Sequence, residues 1–503
     1  MKRFLFLFLS IFFSTLIILL IPFVRVIYPF LPFTNYLLGI DKPTSYHVLL
    51  GNDTEMRANG GFAGSYSKIT LSTKRLEFLN PQVLEFSPEI TFQDIYVPNG
   101  QLGGHVTPPT PIQQAFGHGT WELANADWEP DFPTAAQNIR WFLEKGKEIN
   151  PDILAIVNLS TIKQVLNQIG SFPVPEYDAT LTPDNLYLFL QGKTEVGFFP
   201  GSTQKRDTLT AVGQALIKKA KSLPLSKKIQ IAHILYTDLI NQNIMIHSSN
   251  QTFQSFMEQK KLAGVLSPEA VDTYSLIETN LGANKANQFV NRQTTHVISF
   301  VAPPSSLRVS YSNRGNLTPP IDSMDSTIIH HQVTVHFTNS SPAANPNPPI
   351  HYGGNYITYL RFYLPLEAKN IFLTRDPLSL PPLPDTILST PSAVIASDSA
   401  AIQTNYGLTE IGFWQTTPAG GESTISLSYN LPLPDSRHCE SGNLPAVGRR
   451  YRVFHDQVSL HQDSRCGYSL AILKQHGLLS SPQSINLFGQ TYTTDLRHSF
   501  RYP

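Results

Sequence analysis

The sequence predicts one membrane-spanning helix, then an α/β domain, then an all-β, sandwich-like region. Three observations carry this. Residues Phe4–Val24 form an almost uninterrupted apolar run. From about 44 to 285, strand-like stretches alternate with helical ones, the pattern of an α/β layer structure. After about 290 the helical period stops, and short alternating strands separated by Pro/Gly/Asn/Ser segments take over. The expected division is 1–43 (cytoplasmic stub, anchor and juxtamembrane segment), 44–288 (α/β domain with a mixed sheet and flanking helices) and 289–503 (one or two sandwich modules).

About 20 apolar residues in a helix cross a bilayer core, and FLFLFLSIFFSTLIILLIPFV is that long. Lys2 and Arg3 precede it, and bulky IPFVRVIYPF follows it with no small-residue cleavage site. These features read as a retained signal anchor, with the N-terminus cytoplasmic and the body extracytoplasmic; the alternative, a cleaved signal peptide, places the body in the same compartment. Lys plus Arg and Asp plus Glu number 37 each. Such a balance supplies no global field for nucleic acid, which is not expected as a partner. The two cysteines, Cys439 and Cys466, either close one loop as a disulfide outside the cytoplasm or remain two buried thiols.

Taken in order, YHVLLG at 46–51 and SYSKITLS at 65–72 read as strands joined by the loop EMRANGGFAGSY, with STK turning the chain into a third strand, RLEFLN. Residues 88–130 carry many Gly, Pro and His and read as long loops, which in a compact domain commonly serve a site. FPTAAQNIRWFLEKGKE follows with Ala135, Ile139, Phe142 and Leu143 on one helical face. PDILAIVNL reads as a buried strand. STIKQVLNQIG reads as a helix capped by Ser160 and stopped by Gly170. TPDNLYLFLQG reads as a helix with Thr182 as cap and Pro183 at its first position. Further helices are expected at 206–221, 227–241 and 250–263. Seven strands are then expected: THVISFVAPP, SLRVSYSN, HHQVTVHFTN, NYITYLRFYLP, LTEIGFWQTT, STISLSYNLP and YSLAILKQ.

Chemistry is expected at three places. Backbone N–H groups in a glycine turn can form a concave anion site, and an arginine beside it adds a fork of donors. Arg57, with Gly60, Gly61 and Gly64, is the first candidate; the alternative is a glycine-bulged connection whose Arg57 pairs with Glu55. In QKRDTLTAVGQAL, Lys205 and Arg206 open a helix, where the backbone favours anions. Asp207 there either caps the helix or binds a metal. In WELANADWEPDFP, Asp127, Glu129 and Asp131 offer oxygen ligands suited to Mg²⁺ or Ca²⁺, though Asp131 can equally cap the next helix. His330, His331 and His336 share one strand; His330 and His336 stand about 20 Å apart at strand rise and cannot chelate one ion. No nucleophile elbow, HExxH or CxxC is present.

NDTEMRANGGFAGSYSKITL at 52–71 resembles a family of bacterial envelope proteins, domain of unknown function 4012, with a pattern close to N-x-x-E-x-R-x-x-G-G-F-x-G-S. ANADWEPDFPTAA, PDILAIVNLSTIKQVLNQIG, LTPDN, KRDTLTAVGQAL, NLGANKANQFVNR and YSLAILKQHG match in order. Asn125 and Asp127 exchange the places that Asp and Asn take in the family before the Trp. The order of parts is also similar, more distantly, to the LytR-CpsA-Psr family of membrane-anchored transferases. These move glycopolymers from a polyprenyl pyrophosphate onto the cell wall, using arginines and Mg²⁺. The resemblance implies that Arg57 and Arg206 clamp a pyrophosphate, with Asp207 beside them. It implies that Asn52, Gly60, Gly61 and Lys205 help bind the anion, and that Asp127, Asp131 or Asp207 hold Mg²⁺. It implies a polyprenyl-pyrophosphate lipid and cell-wall glycan as partners, bound or joined by a phosphotransferase-type ligase. The alternative is a non-catalytic surface binding or adhesion protein.

Overall fold

The computed structural model describes residues 28–40, 42–75, 84–117, 119–197, 203–301, 328–343, 353–376, 400–432 and 468–502. The apolar run at 4–24, most of RLEFLN, the strand expected at SLRVSYSN, and Cys439 and Cys466 lie outside the described residues. Among the described residues no helix is long and apolar enough to cross a membrane.

Strands β1 (Thr44–Arg57) and β2 (Gly60–Arg75) form a long antiparallel hairpin, and β3 (Leu84–Asp94) pairs with β2. β4 (Ile153–Asn158) runs parallel to β1; β5 (Phe172–Val174) and β6 (Ala179–Leu181) make a separate ribbon; β7 (Ile244–Ser248) lies antiparallel to β4. The sheet order is β3-β2-β1-β4-β7. Successive strand residues face opposite sides, so Leu154 and Ile156 pack on helix Phe132–Lys145, while Ile153 and Val157 join Phe253 and Met257 of helix Gln251–Gln259. This is the expected α/β layering with its mixed sheet.

Local starts differ from expectation. STK is not a turn, because Ser72 and Thr73 continue β2, paired with Ser87 and Phe86. Part of the stretch expected as loop, 88–94, is β3. Helix Leu159–Ile169 begins after Asn158, not Ser160. Helix Leu186–Glu195 begins one turn after Thr182; Thr182 and Asn185 instead exchange bonds, Asn185 Oδ1 accepting the Thr182 N–H and the Thr182 hydroxyl oxygen accepting the Asn185 N–H.

The C-terminal region is a two-layer β-sandwich. It contains β8 (Asp272–Asn280), β9 (Val290–Phe300), β10 (Ile328–Asn339), β11 (Tyr356–Pro365), β12 (Lys369–Asp376), β13 (Ala401–Asn405), β14 (Leu408–Thr417), β15 (Gly421–Pro432), β16 (Leu470–Leu473), β17 (Gln483–Leu487), β18 (Gln490–Thr494) and β19 (Phe500–Tyr502). The sheets are β12-β15-β10-β9-β17-β18 and β13-β14-β11-β8-β16-β19. Val333, Val335, Phe337, Ile425 and Leu427 of one sheet meet Tyr356, Leu360, Phe362 and Ile472 of the other in one core. The sandwich begins earlier than 289, because β8 pairs with β11 and β16 inside its second sheet.

His331, set aside as a metal ligand, lies fully buried in a polar chain across this core. Its Nδ1 is 2.9 Å from Asp272 Oδ2, and the Tyr429 and Tyr468 hydroxyls donate to the same carboxylate at 2.6 Å. Its Nε2 is 3.0 Å from His296 Nδ1, and His296 Nε2 is 2.9 Å from Gln483 Oε1. The Gln483 amide nitrogen donates to Ser481, so its oxygen faces His296 and that nitrogen carries the hydrogen. A neutral His296 then accepts at Nδ1 from the His331 Nε2–H.

Candidate functional site

β1 and β2 are joined by only two residues, Ala58 and Asn59, so GGFAGS is strand rather than loop. β1 bulges instead: Asn52 pairs with Phe62 and Met56 with Gly61, leaving Asp53, Thr54 and Glu55 out of register. Asn52 Oδ1 fastens the bulge by accepting from the Thr54 N–H at 3.2 Å and its hydroxyl at 2.8 Å. The glycines are sites of close approach. A Cβ on Gly61 would lie 2.0 Å from the Asn52 backbone, and one on Gly60 2.7 Å from the Asn158 side chain. The Gly61 N–H donates to Asn158 Oδ1 at 2.9 Å. The expected glycine cradle for an anion is therefore not formed.

Arg57 follows the alternative reading. It is 3% exposed, and its Nη2 donates to Glu55 Oε1 at 2.9 Å. Its Nη1 donates to the Asn280 carbonyl in β8, and the guanidinium sits 5.0 Å from the Phe62 ring centre. Around it, four of the segments that share the family-like motifs converge, 52–71, 124–136, 280–292 and 468–477. Asn59 Nδ2 donates to the Glu129 carbonyl, and Asn59 Oδ1 meets His476 Nδ1 at 3.1 Å. Asn287 Oδ1 accepts from the Met56 N–H at 3.0 Å. The Gln475 amide donates to the Arg57 and Glu278 carbonyls at 3.0 and 2.8 Å. Lys474 Nζ donates to Asn243 Oδ1 at 3.0 Å, and burial pushes its amine down to about 7.

The acidic segment divides by role. Asp131 caps helix Phe132–Lys145: its Oδ2 accepts from the Thr134 N–H and hydroxyl, and its Oδ1 from the Leu266 N–H. Asp127 is buried, and neither of its carboxylate oxygens has a hydrogen-bond partner; Arg57 Nε and Asn125 Oδ1 are in the same condition. Burial raises Asp127 to about 6, against the opposing charges of Arg57 and Arg361. Among the described residues no group of three or more His, Cys, Asp or Glu gathers to hold a metal. With Asp131 committed as a cap and Asp127 facing guanidinium groups, the expected carboxylates do not make a resident Mg²⁺ site.

The second basic cluster reaches the same hairpin from outside. Lys205 Nζ donates to the Gly64 carbonyl at 2.6 Å, stands 3.5 Å from Asp94 Oδ2 and lies 5.8 Å from the Tyr96 ring centre. Asp94 Oδ1 accepts the Tyr96 N–H at 3.0 Å. Arg206 and Asp207, side chains 48% and 54% exposed, pair with each other at 3.1 Å. The Thr203 hydroxyl also donates to Asp207, which with Arg206 holds that carboxyl below its usual range. Helix Gln204–Lys221 receives no side-chain cap from Thr203. The structure thus brings Lys205 to β2, but it encloses Arg57 and leaves Arg206 at the surface. Asp94, Tyr96 and Asn158 were not singled out by sequence. Asp94 and Tyr96 sat in a stretch read as loop, and Asn158 ends a strand read only for its burial.

Residues 41–194 match the family model described as "Protein of unknown function (DUF4012)", in accord with the motifs read there. No curated protein matches. Among solved structures the chain is similar to B. subtilis TagV, at 15% identity and TM-score 0.26, over 46% of this chain and 87% of that one. It is similar to the Lin1025 protein from Listeria innocua at 12% and 0.24, over 46% and 86%. It is also similar to the LytR-Csp2A-Psr enzyme from Actinomyces oris at 10% and 0.20, over 44% and 76%.

Proposed function

We propose that this chain is a single-pass protein of the bacterial cell envelope whose α/β domain binds a polyprenyl-pyrophosphate-linked glycopolymer. The N-terminus is cytoplasmic and the folded body faces the wall. The pyrophosphate is held where helix Gln204–Lys221 starts, by the first-turn N–H groups, Arg206 and Lys205. The observation that carries this reading is Lys205: it bridges the uncapped helix start to Gly64, beside exposed Arg206. Helix N-termini attract anions. An exposed pair such as Arg206–Asp207 contributes only about 0–1 kcal/mol, so a pyrophosphate displaces Asp207 at small cost. Arg57 has a different part, fixing the hairpin that carries Gly64.

Binding is favoured over transfer because Arg57 and Arg206 do not face one cleft. The cations of the protein suffice, without a resident metal. The full chain in detergent should bind undecaprenyl pyrophosphate more tightly than the corresponding alcohol. Arg206→Ala and Lys205→Ala should each weaken that binding about tenfold, the size of one lost charge-assisted contact. Unchanged binding in the double variant sinks the proposal.

A further inference from the structure

The corner formed by helix Gln204–Lys221 and helix Leu225–Ile240 has features that pyrophosphate binding leaves unused. From residue 208 to 237 the chain has no Asp or Glu, while Lys218, Lys219, Lys221, Lys227 and Lys228 crowd its middle. Lys228 Nζ donates to the Lys221 carbonyl at 3.0 Å, which ties the corner together. Helix Leu225–Ile240 uses one face for the protein. Its Asp238 accepts from Thr161 at 2.6 Å and from Gln164 at 3.3 Å, and its Lys227 donates to Gln168 at 3.0 Å, all on helix Leu159–Ile169.

A second apolar stripe runs along the helix. Leu225, Ile229, Ala232, Tyr236 and Ile240 recur at spacings of four, three, four and four, which keeps them on one side. Leu225 is 73% exposed, Ile229 39% and Ile240 46%, and Ala232 is exposed as well. At 1.5 Å per residue the stripe is about 22 Å long. The helix is thus apolar toward solvent, and its N-terminal end is flanked by lysines.

The position of its other end matters. Leu239 belongs to the cluster on which Phe30, Phe33 and Tyr36 pack. Tyr28 and Leu31, on the adjoining 3-10 helix, are themselves exposed. Three residues of chain separate Val24, the end of the apolar run, from Tyr28, and the four steps reach at most about 14 Å. If the run is anchored as proposed above, the C-terminal end of helix Leu225–Ile240 stands at the bilayer surface.

We propose that helix Leu225–Ile240 lies in the interface of an anionic bilayer. Its Leu225–Ile240 stripe enters the headgroup–acyl boundary, and the lysines at 218–228 contact lipid phosphates. An interfacial helix pairs an apolar face with basic residues in this way. The proposal rests on the anchored reading of the chain and not on pyrophosphate binding.

The test uses the full chain, one copy per nanodisc, with brominated acyl chains and no pyrophosphate lipid. The discs are either neutral phosphatidylcholine or contain roughly one third phosphatidylglycerol. Leu225→Trp adds a reporter at an exposed position, and the readout is the quenching it adds over the unsubstituted chain. That increment should be about threefold larger in anionic discs, and a Lys218→Gln/Lys221→Gln/Lys228→Gln variant should remove the difference. No increment in anionic discs overturns the proposal. An increment seen only with two copies per disc overturns it in favour of a self-interface. A chain that does not float with the discs overturns the anchored reading and this proposal together; one that floats without an increment overturns this proposal alone.

Discussion

Arg57 and Asp127 lie in one enclosure and have opposite effects on stability. Arg57 holds Glu55, the Asn280 carbonyl and the Phe62 ring at once, so Arg57→Ala leaves Glu55 without its cation in a largely buried place. Breaking such a pair by removing one partner costs about 3–5 kcal/mol. Urea unfolding should show a loss of that order, and a loss under about 1 kcal/mol would return Arg57 to the list of ligand-binding residues. Asp127 runs the other way. Its folded-state value, about 6, lies above that of an unfolded aspartate. Whatever its native environment contributes is present at acid pH and is lost as pH rises from about 4 to 6. Asp127→Asn should therefore raise unfolding free energy at pH 7 by about 3 kcal/mol and change little at pH 4. Equal effects at both values would mean that the carboxylate has a partner. At this scale the sequence showed both roles of Arg57 without deciding between them. The deciding partner, Asn280, lies 223 residues away, and no local pattern announces it.

Helices were legible as elements because an amphipathic period repeats several times within each. Gln204–Lys221 and Leu225–Ile240 lie within two residues of their expected bounds. The hairpin was legible in existence but not in form. Three glycines in five residues suggest a loop, yet here they let β2 pass against Asn52, Asn158 and Gly477. Strand β3 was hidden because its flanks carry Pro, Gly and His. The placement of helix Gln204–Lys221 depends on one more such contact: Gly213 packs on Phe92 of β3, and a Cβ there would lie 2.4 Å from the ring. Mid-helix glycine is worse than alanine by about 1 kcal/mol on propensity alone. Gly213→Ala should nonetheless destabilise, and Phe92→Ala should rescue it in part by making room. Thermal melts of the two single variants and the double variant read this coupling. If Gly213→Ala stabilises by its propensity alone, the helix does not rest on β3 as described, and Lys205 loses its fixed distance to Gly64.

At the scale of the whole molecule, two domains that looked separable in sequence are joined through buried polar groups. The expected boundary at 289 missed β8 because DTYSLIETN was read as part of the α/β region, although its partners β11 and β16 come far later in the chain. The C-terminal Lys474–Gly477 segment then returns under the first hairpin, through Gln475 and His476. This construction ties stability to pH. His47 and His247 in the α/β sheet, His476 at the junction and His296 in the sandwich are pushed down by burial to about 4, 4, 3 and 3. In the unfolded chain each takes a proton below about 6.5, whereas the folded chain refuses it until far lower. The unfolded state therefore binds more protons, and stability falls as pH falls. Asp127 opposes this with one proton of the other sign between about 4 and 6. The four imidazoles outnumber it, so between pH 6 and 5 the chain should lose about 4 kcal/mol per pH unit. Lys474 carries the same sign above neutrality, because its folded value of about 7 lies below that of a free lysine. Urea unfolding at steps from pH 4.5 to 9 should therefore show stability still rising past pH 7. His476→Gln should flatten the acid limb by about a third, the share of one imidazole in the net difference that four imidazoles less Asp127 make. Separate acid transitions for the two domains would refute the joint construction, because His476 and Gln475 would then not link them.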